Sequence, residues 1–335
     1  MRLRLSRKTI VLLVLSALCS FLTSCTQSAE PLSRTGFYFD TVIQITIYDS
    51  SKASALDGCF ELAEKYENML STTRENSDIW RINHSKGAPV DVTADTAELL
   101  ETALYYARLT DGRIDPTILP AASLWNFGSD QSPSVPDAAA LENALSHVDY
   151  HVVRIEEKSS SYVVTLDDPQ SMIDLGFIAK GYIADRIKSY LLSKGITSAC
   201  INLGGNVVTI GNKPDGSAFR IGIQEPFATE GTPIAVASLS DASLVSSGIY
   251  ERYFYQDDVL YHHILDPATG YPVENDLAGV TILSPGSVEG DALSTTCYCL
   301  GLKDGMKLIE SLEGVEAVFI TKDNSLHYSS GFPRS

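Results

Sequence analysis

The densest polar and glycine-containing segment is Asp174-Leu-Gly-Phe-Ile-Ala-Lys-Gly-Tyr182. An apolar stretch ends at Asp174, a turn follows, and a helix is expected from Ala179. Such a turn gathers a carboxylate, a lysine and free backbone N–H and carbonyl groups. Lys180 suits an anionic partner, and Asp174 can accept from a ring N–H or a hydroxyl. The same residues would also make an ordinary helix-start turn with a solvated lysine. In Gly290-Asp-Ala-Leu-Ser-Thr-Thr296, which opens another helix, Asp291 and Thr295 are four apart and share a face. A carboxylate, a hydroxyl and turn carbonyls form an oxygen-only donor set, which suits Mg²⁺ shared with phosphate oxygens rather than zinc. A first-turn Asp favoured by the helix dipole and a buried Thr give the same pattern without a metal. His262-His-Ile-Leu-Asp-Pro-Ala-Thr-Gly270 ends a strand in a loop. Successive strand residues face opposite ways, so one histidine can face a given pocket, with Asp266 nearby as base or orienting group. Asn202-Leu-Gly-Gly-Asn206 permits close backbone approach but is neither G-x-G-x-x-G nor a P-loop, so it implies no nucleotide fold.

The elements that must position these groups follow from hydrophobic periodicity. Thr41–Ile47 alternates as a half-buried strand. Helices are expected over Ser54–Leu70, Thr93–Arg108, Asp137–Val148 and Ala179–Lys194, and again over Val288–Leu302 and Asp304–Glu313. Strands are expected at Val152–Ile155, Tyr162–Leu166, Ala199–Leu203, Val207–Ile210, Phe219–Ile223, Ile234–Leu239, Tyr253–Tyr255, Tyr261–Leu265, Ala278–Leu283, Val315–Ile320 and Leu326–Tyr328. Helices and strands come in blocks, so the fold class is α+β: a single large domain with a mixed or antiparallel sheet and packed helices.

The 335 residues are 44% hydrophobic and 20% charged, which excludes a disordered tail, a collagen-like repeat and a multi-span membrane protein. The net charge of −17 speaks against nucleic-acid binding, which needs a basic surface. The N-terminus has its own character: Arg2, Arg4, Arg7 and Lys8, then an apolar run from Ile10 to Leu22, then Leu22-Thr-Ser-Cys25. A basic start, a short apolar core and small residues before a cysteine make an export signal over residues 1–24. The ending resembles a bacterial lipobox, in which Cys25 becomes a lipidated N-terminus. Residues 25–36 would then be a tether to a domain spanning 37–335, held at the extracytoplasmic face of the cell membrane. Loss of residues 1–24 removes four cations and no anions, leaving −21. Cys59, Cys200, Cys297 and Cys299 form no C-x-x-C pair and read as buried free thiols, although a bridge involving Cys200 is compatible with export.

Together the motifs resemble the FAD:protein FMN transferases, formerly labelled thiamine biosynthesis lipoproteins, over roughly Phe37 to Phe332. The likeness runs through Phe39-Asp-Thr41, Leu70-Ser-Thr72, Ser77-Asp-Ile-Trp-Arg-Ile-Asn83, Gly112-Arg-Ile-Asp-Pro-Thr117, Leu124-Trp-Asn-Phe127, Asp174–Tyr182, Ile201–Asn206, Ser246-Ser-Gly-Ile-Tyr250, His263–Gly270 and Gly290–Thr296. It implies Mg²⁺-dependent splitting of the FAD pyrophosphate, with FMN joined to a Thr or Ser hydroxyl of a target protein and AMP released. By the same likeness, Phe39, Thr73, Arg113, Ile114, Asp115, Asp174, Lys180 and Leu265 would contact the flavin nucleotide. Asp291, Thr295, Ser294 and the Phe177 carbonyl would hold Mg²⁺, and His263, with Asp266, would serve the reacting phosphate. The family often has Met-Gly-Thr where this chain has Phe39-Asp40-Thr41, a second glycine at Phe177 and an aromatic at Thr73. The family's acceptor stretch, ending Ser/Thr-Gly-Ala-Thr/Ser, is absent from this chain. The implied target is therefore another protein: a membrane-associated flavoprotein subunit of a redox-driven ion pump. Two other readings use the same residues, an Mg²⁺-dependent FAD pyrophosphatase and a non-catalytic FAD-binding lipoprotein.

Overall fold

Alternation of Ile43, Ile45 and Ile47 with polar residues drives burial of one face of a strand. That strand belongs to the sheet on which the molecule is built. The computed structural model describes residues 30–128, 131–159 and 161–333. The expected export signal and Cys25 lie outside the described residues. Eight strands form the sheet: β1 (Leu32–Tyr38), β2 (Thr41–Ile47), β6 (Ala199–Leu203), β7 (Asn206–Ile210), β10 (Ser243–Gly248), β13 (Leu277–Ser284), β14 (Glu316–Thr321) and β15 (Leu326–Tyr328). They lie in the order β1-β2-β6-β7-β10-β13-β14-β15, and every neighbouring pair is antiparallel. Smaller sheets are β3 (Val90–Val92) with β4 (Val153–Lys158) and β5 (Ser161–Leu166), the hairpin β8 (Phe219–Gln224) with β9 (Pro233–Leu239), and the hairpin β11 (Tyr253–Gln256) with β12 (Val259–His262).

The helices are α1 (Ser54–Leu70), α2 (Asp78–Asn83), α3 (Ala94–Leu109), α4 (Leu119–Ala122), α5 (Ala138–Leu145), α6 (Ala179–Ser193) and α7 (Ser287–Ile309). Alternation in β14 shows the layering. Ala317 and Phe319 face the core with α6 and α7, whereas Val318 and Ile320 pack with Phe219, Ile223, Ala237 and Leu239 of the β8–β9 hairpin. The sheet is thus covered on both faces, which is why β13 is almost wholly buried. From Pro31 onward the chain forms one compact α+β unit, and no described helix is long and apolar enough to cross a membrane.

Two boundaries differ from expectation. The tether assigned to residues 25–36 is cut short, because Leu32–Tyr38 is an edge strand paired with β2. Its side chains are mostly exposed, so no alternation reveals it. Strand β12 ends at His262, so His263–Leu265 lies in the following segment. The span α7 is two helices joined across a kink at Gly301 (φ 75°, ψ 174°), in keeping with the two helices expected on either side of Lys303. The four thiols Cys59, Cys200, Cys297 and Cys299 are unpaired.

Candidate active site

The N-termini of α6 and α7 meet beside the sheet, and two carboxylates fix how they meet. Asp185 of α6 accepts from the backbone N–H groups of Ser287 and Val288, each at 2.9 Å, capping α7 from a neighbouring helix. Asp291 of α7 accepts from the backbone N–H of Gly181 at 2.8 Å. A Cβ on Gly181 would lie 2.3 Å from the Ser287 carbonyl oxygen, so glycine is what permits this approach. Ser287 Oγ donates to Asn206 Oδ1 at 2.6 Å, tying the same helix end to the strand after the Gly204-Gly205 turn.

Asp291 is only 3% exposed, and its Oδ1 lies 3.9 Å from Lys180 Nζ. Burial raises its pKa, while Lys180 and the Gly181 N–H pull it down. One turn on, Ser294 Oγ and Thr295 Oγ1 meet Ser247 Oγ at 2.7 and 3.0 Å. Among the described residues no three His, Cys, Asp or Glu side chains cluster to bind a metal. The oxygens here are instead one buried carboxylate and three hydroxyls. A carboxylate short of positive charge beside hydroxyls fits a hard divalent cation of the Mg²⁺ class.

The Asp174 turn is built locally. Asp174 Oδ1 accepts from Gly176 N at 2.7 Å, and Lys180 Nζ donates to Gly176 O at 3.4 Å. The Asp174 backbone N–H donates to Pro116 O at 2.8 Å, which brings the Arg113–Asp115 segment alongside. Burial also raises the Asp174 pKa, against the charges of Arg252 and Lys180. Asp115 is fully engaged: its carboxylate accepts from Thr117 N, Thr117 Oγ1 and Tyr150 N at 2.8, 2.6 and 2.9 Å. That side chain holds the loop, in which Arg113 is exposed and Ile114 is buried in the core.

Of the paired histidines, His262 is buried, with Tyr298 Oη 3.5 Å from Nε2. His263 is half-buried, and its Nδ1 lies 3.2 Å from the Arg252 carbonyl oxygen. A carbonyl can only accept, so Nδ1 carries the proton and Nε2 keeps its lone pair. Burial and the charge of Arg252 lower the His263 pKa to about 3. Asp266 belongs to the loop after His263. Its Oδ1 accepts from Ala268 N at 2.9 Å and so stabilises the loop to Gly270. With Arg113 and Cys299 it lines a cleft of about 430 Å³. Leu265 is buried and bridges to Pro272.

Phe39 and Thr73 border one local network. Glu67 accepts from Phe39 N at 2.9 Å and pairs with Arg74 beside Thr73. No hydrogen bond among the described residues links them to the Asp174–Asp291 group. The Phe177 side chain is partly buried against the core. Sequence reasoning missed Ser247, Asp185, Glu251 and Arg252. Ser247 lies inside the quoted Ser246–Tyr250 motif and Glu251–Arg252 directly follows it, so their proximity to that motif was the available signal.

The family model described as "ApbE family" matches residues 39–319. The chain belongs to the ApbE family. Its relatives include an FAD:protein FMN transferase of Treponema pallidum, 36% identical over 89% of this chain and 87% of that protein. Another, from Klebsiella pneumoniae, is 37% identical over 86% of this chain and 88% of that protein. The ApbE protein of Thermotoga maritima superposes with a TM-score of 0.83 at 30% identity, covering 91% of this chain and 100% of that one. The flavin transferase ApbE of Vibrio cholerae gives 0.79 at 29% identity, covering 91% and 98%. The antiparallel sheet with packed helices is therefore the ApbE fold, and the expected family membership holds.

Proposed function

We propose that this ApbE-family protein transfers FMN from FAD to a Thr or Ser hydroxyl of another protein and releases AMP. The observation that carries the reading is the junction of Lys180, Asp291 and the Ser247–Ser294–Thr295 hydroxyls at two helix N-termini. The names of the relatives add the substrate and the acceptor class. Asp291, Ser294, Thr295 and the Phe177 carbonyl would hold Mg²⁺, which supplies charge neutralisation for a pyrophosphate. Lys180 places a fixed positive charge toward the same phosphates.

In the transfer, the acceptor hydroxyl oxygen forms a bond to the FMN phosphorus. The bond from that phosphorus to the bridging oxygen breaks, and AMP leaves with the electron pair. The hydroxyl proton goes to His263 Nε2, whose lone pair is free because Nδ1 donates to the Arg252 carbonyl. Asp266 braces the loop that carries His263. Lipidation at Cys25 would hold the enzyme at the extracytoplasmic membrane face, where flavoprotein subunits of redox-driven ion pumps would meet it.

The test is incubation of the protein with FAD, Mg²⁺ and a peptide bearing the acceptor stretch, followed by peptide mass and AMP assay. The expected result is a peptide heavier by one FMN with matching AMP. AMP without modified peptide would assign a pyrophosphatase, and FAD binding without either product would assign a carrier.

A further inference from the structure

The extended segment that leads into the Asp174 turn belongs to none of the sheets. Met172 forms one isolated parallel bridge with Ile118, and the Asp174 backbone N–H donates to Pro116 O at 2.8 Å. Between them Ile173 is wholly buried, and one side chain satisfies both of its backbone groups. Asn83, the last residue of α2, accepts from Ile173 N on Oδ1 at 2.6 Å and donates from Nδ2 to Ile173 O at 2.9 Å. A carboxamide carries a donor and an acceptor side by side, so Asn83 fills the place that a neighbouring strand would take. Its own base is firm. Asp78, at the start of α2, accepts on Oδ2 from Thr93 N, Thr93 Oγ1 and Thr96 Oγ1 at 2.8, 2.9 and 2.7 Å.

We propose that Asn83 is a positioning residue for substrate binding: its carboxamide fixes the backbone of Ile173 and thereby aims the Asp174 carboxylate at the flavin nucleotide. The proposal rests on the transferase reading, in which Asp174 contacts FAD, and adds to it a residue that acts through Asp174. Register is the physical reason. Successive residues of an extended chain face opposite ways. Ile173 enters the core, and Asp174 is the residue whose Oδ1 receives the Gly176 N–H at 2.7 Å in the turn. A slip of one residue would exchange the two and send the carboxylate into the core. One parallel bridge is little to prevent that slip, whereas a two-point hold on Ile173 prevents it. A carboxylate aimed before the ligand arrives also avoids the ordering cost that binding would otherwise carry. Lys180 is held separately, because the start of α6 is tied to α7 by the Gly181 N–H on Asp291. The effect of Asn83 on affinity therefore runs through Asp174 and not through the lysine.

The experiment is a double-mutant cycle on FAD binding with the full protein, N83A, D174A and N83A/D174A. Thermal melting first sets a temperature at which every variant is folded. Equilibrium FAD binding is then followed by flavin fluorescence. D174A should weaken binding by about tenfold or more, as loss of a hydrogen bond to a charged group does. N83A should weaken it by a similar factor, although Asp174 is still present. The double variant should bind no more weakly than D174A alone, because Asn83 has nothing left to aim. A residue that only stabilises the fold would lower the melting temperature and leave affinity unchanged. If N83A does not fold, N83D takes its place in the cycle, since it keeps an acceptor for Ile173 N–H and loses the donor to Ile173 O. Wild-type FAD affinity in D174A or in the Asn83 variant, or losses that multiply in the double variant, overturns the proposal. A wild type that binds FAD but modifies no acceptor peptide overturns the transferase reading instead, and the binding cycle still decides the role of Asn83.

Discussion

Ser247 is the side chain whose removal distinguishes a metal-binding hydroxyl cluster from a merely packed one. Its Oγ touches both Ser294 and Thr295, the two hydroxyls one turn beyond Asp291. If the cluster orients oxygen donors, Ser247→Ala should raise the Mg²⁺ concentration for half-maximal AMP release about 10–100-fold, as loss of an outer-shell partner does, with little change in melting temperature. Asp291→Ala removes the charged donor itself and should abolish Mg²⁺-dependent turnover, a fall of more than about 100-fold. A magnesium titration of both variants checks this, and an unchanged curve for Asp291→Ala would sink the metal assignment. The two residues were not equally legible. Asp291 declares itself by its i,i+4 spacing to Thr295 on one helix. Ser247 approaches from a strand more than forty residues away in sequence, and no spacing rule reaches across that distance. At Asp266 the residue types suggest a base or an orienting group, whereas its hydrogen bond from the Ala268 N–H, within its own turn, is a feature only the structure supplies.

The element that decides the site is the contact between α6 and α7, and its critical residue has no side chain. Helix propensity alone would favour Gly181→Ala by about 1 kcal/mol. The added Cβ would meet Ser287 O at 2.3 Å and Asp291 Cβ at 2.7 Å, and overpacking of that kind costs about 1–3 kcal/mol. The clash wins, because both neighbours belong to a helix whose start is pinned by Asp185. Gly181→Ala should therefore be destabilised by about 1–2 kcal/mol in chemical denaturation and should also need more Mg²⁺, since the Gly181 N–H would no longer be aligned on Asp291. A variant as stable as wild type would mean that the helices separate freely. The long amphipathic helices and the Val- and Ile-rich strands could be read from periodicity. Strand β10 (Ser-Leu-Val-Ser-Ser-Gly) could not, because its serines and glycine resemble a loop until β7 and β13 pair with it. Strands β1 and β3 escaped for the opposite reason: one is exposed and the other is three residues long.

At the scale of the whole molecule, two sets of buried ionisable groups oppose each other as pH falls. Burial raises the carboxyls of Asp174 and Asp291. Groups raised in this way contribute stability that is present at low pH and lost as pH rises through the folded value. Relief of self-repulsion in a chain of net charge −17 acts in the same direction. His262 runs the other way: desolvation beneath the hairpin lowers it from 6.5 to about 4. Its contribution is full above pH 6.5, falls as pH drops and is gone below about 4. At about 1.4 kcal/mol per pH unit, that loss amounts to about 3 kcal/mol. The wild type should accordingly show a flatter stability profile between pH 7.5 and 4 than either set alone would give. His262→Gln isolates the histidine. The variant should be less stable than wild type at pH 7.5, where Ile264 N–H and Tyr298 Oη lose their partner. The gap should narrow by up to about 3 kcal/mol by pH 4, because only the wild type must then bury a histidine that water would protonate. Urea unfolding of both proteins across this range measures the gap directly. Parallel curves would show that His262 has the same pKa in the folded and unfolded chains, and that the acid response of the fold belongs to its carboxyls alone.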